Sequence, residues 1–253
     1  MWILAVVLLI CVLAFSARYP WWFFPKKGLV VLMYHHIGEN KDRWYVSQKT
    51  FAKQLDVLIK NNFVPISFED LNKAYQGLSD LPKKPVLITF DDGWLDNYTQ
   101  AFPVLKNKNI KANIFLTYNF IDSGKDYMTW QHIIEMQKSG LINFGSHLMN
   151  HKKLSSLEDK EKIFELQESK LLLEKKLDTT ITSFAYPHGD GAFDKNIREL
   201  VFKSGYLFDY SVRRGINKIK WNNAFGPLRR ITVENGQSIL EFYLQITRGK
   251  SGF

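Results

Sequence analysis

Three side chains of this sequence, Asp92, His147 and His151, are of the types that bind a divalent transition metal. Imidazole nitrogen and carboxylate oxygen are ligands that suit Zn²⁺, and also Co²⁺ or Ni²⁺. The i, i+4 spacing of the two histidines predicts that both rings lie on one side of a helical turn. Three protein ligands leave a position open for water, and the metal would lower the pKa of that water towards about 7 and polarise a carbonyl oxygen.

A carboxylate next to the candidate ligands points to hydrolysis. Asp91 directly precedes Asp92 and cannot easily bind the same ion from the same tight turn, in which Gly93 lets the backbone bend sharply. A free carboxylate beside an activated water is a natural general base. The pair therefore predicts that Asp92 binds the metal and that Asp91 accepts the proton. Each pattern alone is a weak signal, because Asp-Asp-Gly is also a common turn.

Apolar runs and helical patterns alternate along the chain. Seven runs are mostly apolar and do not alternate between apolar and polar residues, as expected of parallel strands that are buried on both faces. The runs are Leu29–Met33, Val86–Phe90, Ala112–Thr117, Ile142–Gly145, Ile181–Tyr186, Tyr206–Val212 and Leu228–Val233. The longest helical pattern between them is predicted to begin at Ser156. The alternation predicts an α/β fold with a parallel sheet, either open or closed into a barrel.

The reactive side chains lie where these runs end. Of the six histidines, only His132 falls outside this pattern, in a helical segment. The residues at or just after the ends of the runs are His35, His36, Asp91, Asp92, His147, His151 and His188. Because parallel α/β folds form their active sites at the carboxyl ends of strands, the sequence predicts one polar site at one end of the sheet.

Three stretches resemble the signature motifs of the polysaccharide deacetylase family, carbohydrate esterase family 4. Thr89–Gly93 is similar to the first motif, Ser146–His151 to the second, and Phe184–Gly189 to a variant of the third. Val31–His36 and Leu228–Val233 most resemble the subgroup that acts on poly-β-1,6-N-acetylglucosamine. The resemblance extends over residues 29–235.

This resemblance implies a distorted (β/α) barrel, for which the runs predict about seven parallel strands, and the uncharged residues near the N-terminus predict a hydrophobic helix before it. It implies an N-deacetylase of N-acetylated polysaccharides, with Asp91 as the catalytic base and the three candidate ligands as its metal site. The loop of Pro187, His188 and Gly189 is similar to the loop whose backbone N–H helps to hold the oxyanion. That role needs only a backbone donor, and Pro187 and Gly189 would then contact the substrate.

Two departures from the family pattern concern the catalytic groups. Ala185 stands where many members have an arginine that steadies the catalytic aspartate, and Arg230 on the last predicted strand could supply that charge instead. No histidine follows His188, so the late histidine that serves many members as general acid is missing. The remaining candidates for the acid are His35, His36 and His188, unless the proton returns through the base. Of two neighbours on a strand only one points inward, and His35 is the favoured one.

Aromatic residues are candidates for stacking on sugar rings, with packing in the core as the alternative for each. Trp94 and Tyr118 are the favoured substrate-binding residues. Further candidates are Trp44, Trp130 and Trp221.

The N-terminal residues suggest export. Residues 2–15 carry no charge, but they are few for a membrane span, which needs about 20 apolar residues, and they also suit the core of a signal peptide. We expect residues 1–25 to be a membrane anchor or signal segment and residues 26–253 to be the catalytic domain. By the positive-inside rule, the basic residues after the apolar run favour a location of the rest of the chain in the cytoplasm. A polymeric substrate outside the cytoplasm favours an anchored extracytoplasmic domain, or a secreted or periplasmic one if the segment is cleaved.

The composition excludes several classes of protein. With 45% hydrophobic and 23% charged residues the chain is globular rather than disordered, and its one cysteine excludes an intrachain disulfide. The net charge of +9 is scattered and comes without a nucleic-acid-binding motif, so no nucleic-acid partner is expected. Two alternatives stay open: a deacetylase of peptidoglycan or chitin oligomers, and a non-catalytic, membrane-tethered sugar-binding protein. The intact Asp91 argues against the second, because a binding module needs no base.

Overall fold

The computed structural model describes residues 2–18, 25–219 and 226–250. The strands are β1 (Val30–Tyr34), β2 (His36–Ile37), β3 (Tyr45–Val46), β4 (Val64–Pro65), β5 (Pro85–Phe90), β6 (Ala112–Leu116), β7 (Ile142–Ser146), β8 (Ser183–Ala185), β9 (Phe208–Tyr210) and β10 (Ile231–Thr232). The α-helices are α1 (Trp2–Arg18), α2 (Gln48–Lys60), α3 (Phe68–Tyr75), α4 (Phe102–Lys108), α5 (Trp130–Lys138), α6 (Asp159–Leu177), α7 (Lys195–Lys203) and α8 (Ile239–Arg248).

The main sheet is parallel and nearly closes on itself. Its order is β10-β1-β5-β6-β7-β8-β9, with β4 beside the first residues of β5. Leu228 forms a parallel bridge with Tyr210 of β9, while Ile231 and Thr232 of β10 pair with β1. The segment from Leu228 to Thr232 therefore contacts β9 at one end of this strand order and β1 near the other end. This arrangement confirms the predicted distorted (β/α) barrel of seven parallel strands.

Alternate residues along the strands enter two separate apolar clusters. Val31, Leu87, Phe115, Ala185 and Tyr210 belong to the smaller cluster, which the curled sheet encloses. The strand neighbours of the first four belong to the larger cluster, which includes buried residues of the surrounding helices, whereas Tyr210 follows the buried Asp209. Since side chains of a strand point alternately to its two faces, a strand covered on both faces is mostly apolar, without alternation between apolar and polar residues. This is the physical reason for the mostly apolar runs.

Several predicted element boundaries were wrong, and two of the differences have a clear structural reason. The long helix α6 begins at Asp159 rather than Ser156, because Leu154–Ser156 form a 3₁₀ turn in which the backbone N–H and Oγ of Ser155 both bind Asp190. The last predicted strand, Leu228–Val233, is reduced to two residues, because Leu228 bonds to β9 before the chain crosses to β1.

The N-terminal helix is present as α1, with the sequence WILAVVLLICVLAFSAR. Among the described residues, no helix has both the length and the apolar character needed to cross a bilayer. Trp221, a candidate for sugar stacking, lies outside the described residues.

Candidate active site

The parallel sheet brings the predicted reactive residues to one edge. His35 follows β1, Asp91 and Asp92 follow β5, and His147 follows β7. These side chains line a cavity of about 570 Å³, together with His36, His151 and His188. The clustering at strand ends is therefore a direct result of the parallel topology, which aligns the carboxyl ends of all strands.

Asp92, His147 and His151 converge on one point. Asp92 Oδ1 lies 3.5 Å from His147 Nε2 and 3.2 Å from His151 Nε2, and one ligand atom of each residue lies within 4.8 Å of the others. Asp92 Oδ1 is buried and has no hydrogen-bond partner among the residues that the structure describes. An unpaired buried carboxylate oxygen facing two imidazoles is costly without a cation, so this donor set fits a divalent metal ion.

Neighbouring groups orient the candidate ligands. His147 Nδ1 lies 2.7 Å from the Ala185 carbonyl oxygen, which fixes the proton on Nδ1 and leaves Nε2 as an acceptor for a metal. Trp94 Nε1–H donates to Asp92 Oδ2 at 3.0 Å, which leaves Oδ1 for the metal. The sequence motif therefore needs no side chain at Ala185 for this contact, because the backbone makes it.

The connection between the two histidines is a loop, and the prediction of a helical turn was wrong. Leu148 and His151 both have left-handed backbone conformations, with φ of 70° and 55°. A helix is impossible with these values. Both rings still reach one point, with centroids 4.8 Å apart.

Burial controls the protonation of the candidate ligands. It lowers the pKa of His147 to about 4, although Asp91 and Asp92 act in the opposite direction. The imidazole is therefore neutral near pH 7, as a metal ligand must be. Burial alone would raise the pKa of Asp92, but the neighbouring imidazoles of His151, His147 and His35 hold it well below its usual range. Asp92 is thus an anion ready to bind a cation.

Asp91, which follows β5, is held by Arg230, which directly precedes β10. Arg230 Nη1 and Nη2 donate to Asp91 Oδ1 and Oδ2 at 2.7 and 2.9 Å, and Arg230 Nε donates to the Ser211 carbonyl oxygen at 3.1 Å. Both partners are buried. Burial would raise the pKa of Asp91, but the Arg230 guanidinium and the neighbouring histidines hold it below its usual value. The arginine missing at Ala185 thus has a geometric counterpart on the segment that closes the sheet.

His35 and His36 have different surroundings. The Nδ1 atom of His35 is buried without a hydrogen-bond partner in the described part of the chain, and burial lowers the pKa of its ring against the pull of Asp91 and Asp92. His36 Nδ1 lies 2.6 Å from Asp96 Oδ2. The ring of His36 also stacks on Tyr45. His35 therefore has an uncommitted nitrogen, whereas His36 is held by a carboxylate.

The loop after β8 is tightly constrained. Pro187 is buried, His188 is exposed with a φ of 57°, and the His188 ring lies 4.6 Å from that of His151. Gly189 has a φ of 72°, and a Cβ atom there would lie 2.4 Å from Val212 Cγ2. Gly189 N–H donates to the Tyr186 carbonyl oxygen at 2.9 Å. Only glycine fits this turn, which holds the His188 backbone at the cavity.

The aromatic candidates fall into two groups. Trp44 and Trp94 line the cavity, and the Trp94 ring also packs against Tyr127 at a centroid distance of 4.5 Å. Tyr118 and Trp130 pack against each other at 5.6 Å and against the main apolar cluster. The residues that line the cavity do not include Tyr118 or Trp130.

Several residues of the site were not predicted from the sequence. Arg43, Arg214 and Glu234 line the cavity rim, and Arg43 Nη2 donates to Glu234 Oε1 at 2.8 Å. They come from three loops whose proximity depends on strand register, so no local pattern reveals them. Glu165 contacts the loop between the two histidines from α6. A sequence signal for Glu165 exists, because its spacing of four and eight residues from Ser169 and Leu173 places this charged residue on the buried face of α6.

Comparison with known proteins supports one family. The family model for polysaccharide deacetylase matches residues 79–208. Poly-beta-1,6-N-acetyl-D-glucosamine N-deacetylase of Escherichia coli (strain K12) is 25% identical over 274 residues, which cover 91% of this chain and 40% of that protein. This chain thus spans less than half of that relative.

Two solved structures share the fold over most of their length. Streptococcus pyogenes deacetylase PplD, in complex with acetate, has a TM-score of 0.75 and 26% identity, covering 85% of this chain and 95% of that one. IcaB from Ammonifex degensii has a TM-score of 0.72 and 28% identity, covering 83% and 94%.

The residues matched by the family model include the three candidate ligands and the carboxylate beside them. Because that model covers more than half of the sequence and the fold agrees, the chain belongs to the polysaccharide deacetylase family of hydrolases.

Proposed function

We propose that this protein is a metal-dependent N-deacetylase that removes acetyl groups from N-acetylglucosamine residues of an extracytoplasmic polysaccharide, with poly-β-1,6-N-acetylglucosamine as the favoured polymer. The observation that carries the proposal is the pairing of two adjacent carboxylates with different surroundings. Asp92 presents an unpaired oxygen to two imidazoles, whereas Asp91 is bound by Arg230. The two adjacent residues thereby have different roles, Asp92 as a metal ligand and Asp91 as a base.

Asp92, His147 and His151 would hold the cation, with Zn²⁺ favoured and Co²⁺ or Ni²⁺ as alternatives. When bound, the cation lowers the pKa of a water molecule and polarises the amide carbonyl. Asp91 accepts the proton of the attacking water. Arg230 keeps that carboxylate ionised and fixes its plane through two parallel hydrogen bonds.

The developing oxyanion needs a fixed donor, and the departing amine needs a proton. We assign the first role to the backbone N–H of His188, because the turn that includes Gly189 holds this part of the backbone at the cavity. We assign the second role to His35, which lines the cavity and has a buried, uncommitted Nδ1. Burial lowers the pKa of the His35 ring, so the ring is neutral near pH 7, and the proton that it would pass to the amine must come from the attacking water through Asp91.

The choice of polymer rests on relatives. The E. coli relative is named for poly-β-1,6-N-acetylglucosamine, and its similarity extends over most of this chain. Trp44 and Trp94 offer aromatic surface at the cavity for a sugar ring. We further propose that residues 1–25 anchor the protein in the membrane or direct its export, because a polysaccharide of this kind lies outside the cytoplasm.

The test is acetate release by the full-length protein from three substrates under identical conditions. The substrates are poly-β-1,6-N-acetylglucosamine oligomers, peptidoglycan and chitin oligomers, each with added Zn²⁺ and with chelator. We expect Zn²⁺-dependent release that is fastest from the first substrate. Faster release from peptidoglycan or chitin oligomers would overturn the polymer assignment. No release from any of the three by metal-loaded protein would overturn the catalytic proposal and favour a sugar-binding role.

A further inference from the structure

The loop that joins the two metal-binding histidines is held from below by one buried carboxylate. Glu165, on α6, is 2% exposed. Its Oε2 accepts the backbone N–H groups of Met149 and Asn150 at 2.9 and 3.0 Å. Its Oε1 accepts the side-chain amide of Asn150 at 2.7 Å. The Glu165 side chain thus binds two consecutive backbone amides of the loop and also the side chain of Asn150.

The carbonyl groups of the same loop are held from the other side. Tyr118 N–H donates to the Leu148 carbonyl oxygen and Asn119 N–H to that of Met149, each at 3.0 Å. Asn119 Nδ2 donates to Asn150 Oδ1 at 2.7 Å. The turn after β6 and helix α6 therefore clamp the loop between them. Tyr118 supports the loop through its backbone N–H, rather than through its ring.

The loop needs such support because its own conformation is unfavourable. Leu148 and His151 adopt left-handed backbone angles without being glycine. A loop with these residues would relax to other conformations if its hydrogen bonds were lost, and His151 would then move away from Asp92. The distance of 3.2 Å between His151 Nε2 and Asp92 Oδ1 therefore depends on contacts made two and one residues earlier, at Met149 and Asn150.

A carboxylate at this position of α6 is costly for folding alone. Glu165 lies beside the fully buried Leu166 and one turn before the fully buried Ser169. Burial of an ionised group is unfavourable unless hydrogen bonds compensate it, and here the compensating donors come chiefly from the metal-binding loop. The cost of burying Glu165 is thus balanced by order in that loop.

We propose that Glu165 is a positioning residue that preorganises the metal site and thereby sets its affinity for the metal. The inference rests on the metal site of the proposed function. Glu165 contacts neither the metal position nor the substrate cavity, and it acts through the backbone that carries His151. Conserving the shape of the side chain while removing its charge should therefore weaken metal binding less than removing the side chain.

The test compares Glu165→Ala and Glu165→Gln with the wild type and with Glu168→Ala, which removes a half-buried glutamate three residues along the same helix. The dissociation constant for Zn²⁺ is measured on the full chain by competition with a chromogenic chelator. Co²⁺-loaded samples add a visible absorption spectrum that reports ligand geometry. Loss of a supporting group behind a metal ligand typically weakens binding about 10–100-fold, and we expect this range for Glu165→Ala.

We expect a smaller loss for Glu165→Gln, whose amide oxygen still accepts from the backbone, and no change for Glu168→Ala. Metal-free melting temperatures control for general destabilisation, and if Glu165→Ala does not fold, Glu165→Gln carries the test. Wild-type affinity and an unchanged Co²⁺ spectrum in folded Glu165 variants would overturn this inference alone. Failure of the wild type to bind metal would overturn it together with the proposed metal site.

Discussion

Arg230 and Asp91 are 139 positions apart in the chain, yet they form a buried ion pair with two parallel hydrogen bonds of 2.7 and 2.9 Å. The pair exists because the segment before β10 crosses from β9 to β1 and brings Arg230 into contact with Asp91, which directly follows β5. A fork of two donors fixes both the charge and the plane of the carboxylate. The arginine thus compensates geometrically for Ala185, where many family members have one.

Replacing Arg230 by glutamine should therefore affect both stability and pH dependence. Removing one partner of a buried ion pair lowers the free energy of unfolding by about 3–5 kcal/mol. Without the guanidinium, burial raises the pKa of Asp91, so the acid limb of kcat/KM should move to higher pH. Urea unfolding and a pH–rate profile measure the two effects. Arg229→Gln, at the exposed neighbouring position, should change neither, and an unshifted acid limb in folded Arg230→Gln would contradict the role of Arg230.

Metal removal should destabilise the protein through Asp92. A ligand that binds only the folded state stabilises it by about 2.7 kcal/mol at a concentration 100 times its Kd. Chelation should therefore lower the Tm of the wild type, and adding Zn²⁺ should restore it. Asp92→Ala should show no Tm shift on chelation, whereas Asp56→Ala, which removes an exposed surface partner of Lys108, should respond like the wild type. A full metal-dependent shift in Asp92→Ala would exclude this residue as a ligand.

The stability of the metal-free protein should fall in mild acid because of His147. Burial lowers the pKa of His147 to about 4 in the folded state, from a reference value of 6.5. Between these values the unfolded chain binds a proton that the folded chain does not, so stability present above pH 6.5 is lost as the pH falls towards 4, by up to about 3 kcal/mol.

Urea unfolding of the metal-free protein across this interval measures the effect. His147→Gln should reduce the slope of stability against pH, while His132→Gln, on α5 and away from the cavity lining, should keep it. His35 contributes in the same direction and leaves part of the slope in both variants. An identical slope in His147→Gln and the wild type would show that His147 does not titrate as its burial requires.

Gly189 should be essential for its size as well as for its backbone angle. Gly189→Ala should lower activity strongly, because a Cβ there would lie 2.4 Å from Val212 and displace the loop of His188. Gly77→Ala is a matched control, with a similar φ of 74° and open space around it, so it should show only the backbone cost of about 1–2 kcal/mol. Adding Val212→Ala to Gly189→Ala should recover much of the activity. No recovery in the folded double variant would reject the steric explanation.

The sequence was sufficient for the fold class and for the edge of the sheet where the site lies. Mostly apolar runs without alternation identify buried parallel strands, and residues such as Asp91 and His147 that directly follow them must lie at one edge. The family resemblance and the fold class were both confirmed. These features are local, so a linear pattern reveals them.

Features that depend on register or backbone strain could not be predicted in this way. The spacing of His147 and His151 suggested a helical turn, but hydrogen bonds that Glu165 accepts and Asn119 donates stabilise left-handed angles that no propensity anticipates. The rim of Arg43, Arg214 and Glu234 joins loops from distant parts of the chain. Tertiary contacts decide such features, and a single sequence does not encode them in a readable pattern.

The central claim is that Asp91 is the base of a metal-dependent deacetylase, and one comparison tests it most directly. Acetate release from poly-β-1,6-N-acetylglucosamine oligomers is measured for full-length wild type and Asp91→Asn, with one equivalent of bound Zn²⁺ verified in both. We predict release by the wild type and a loss of at least about 100-fold in kcat for Asp91→Asn at unchanged metal content. Equal rates for the two proteins would contradict the assignment of Asp91 as the base.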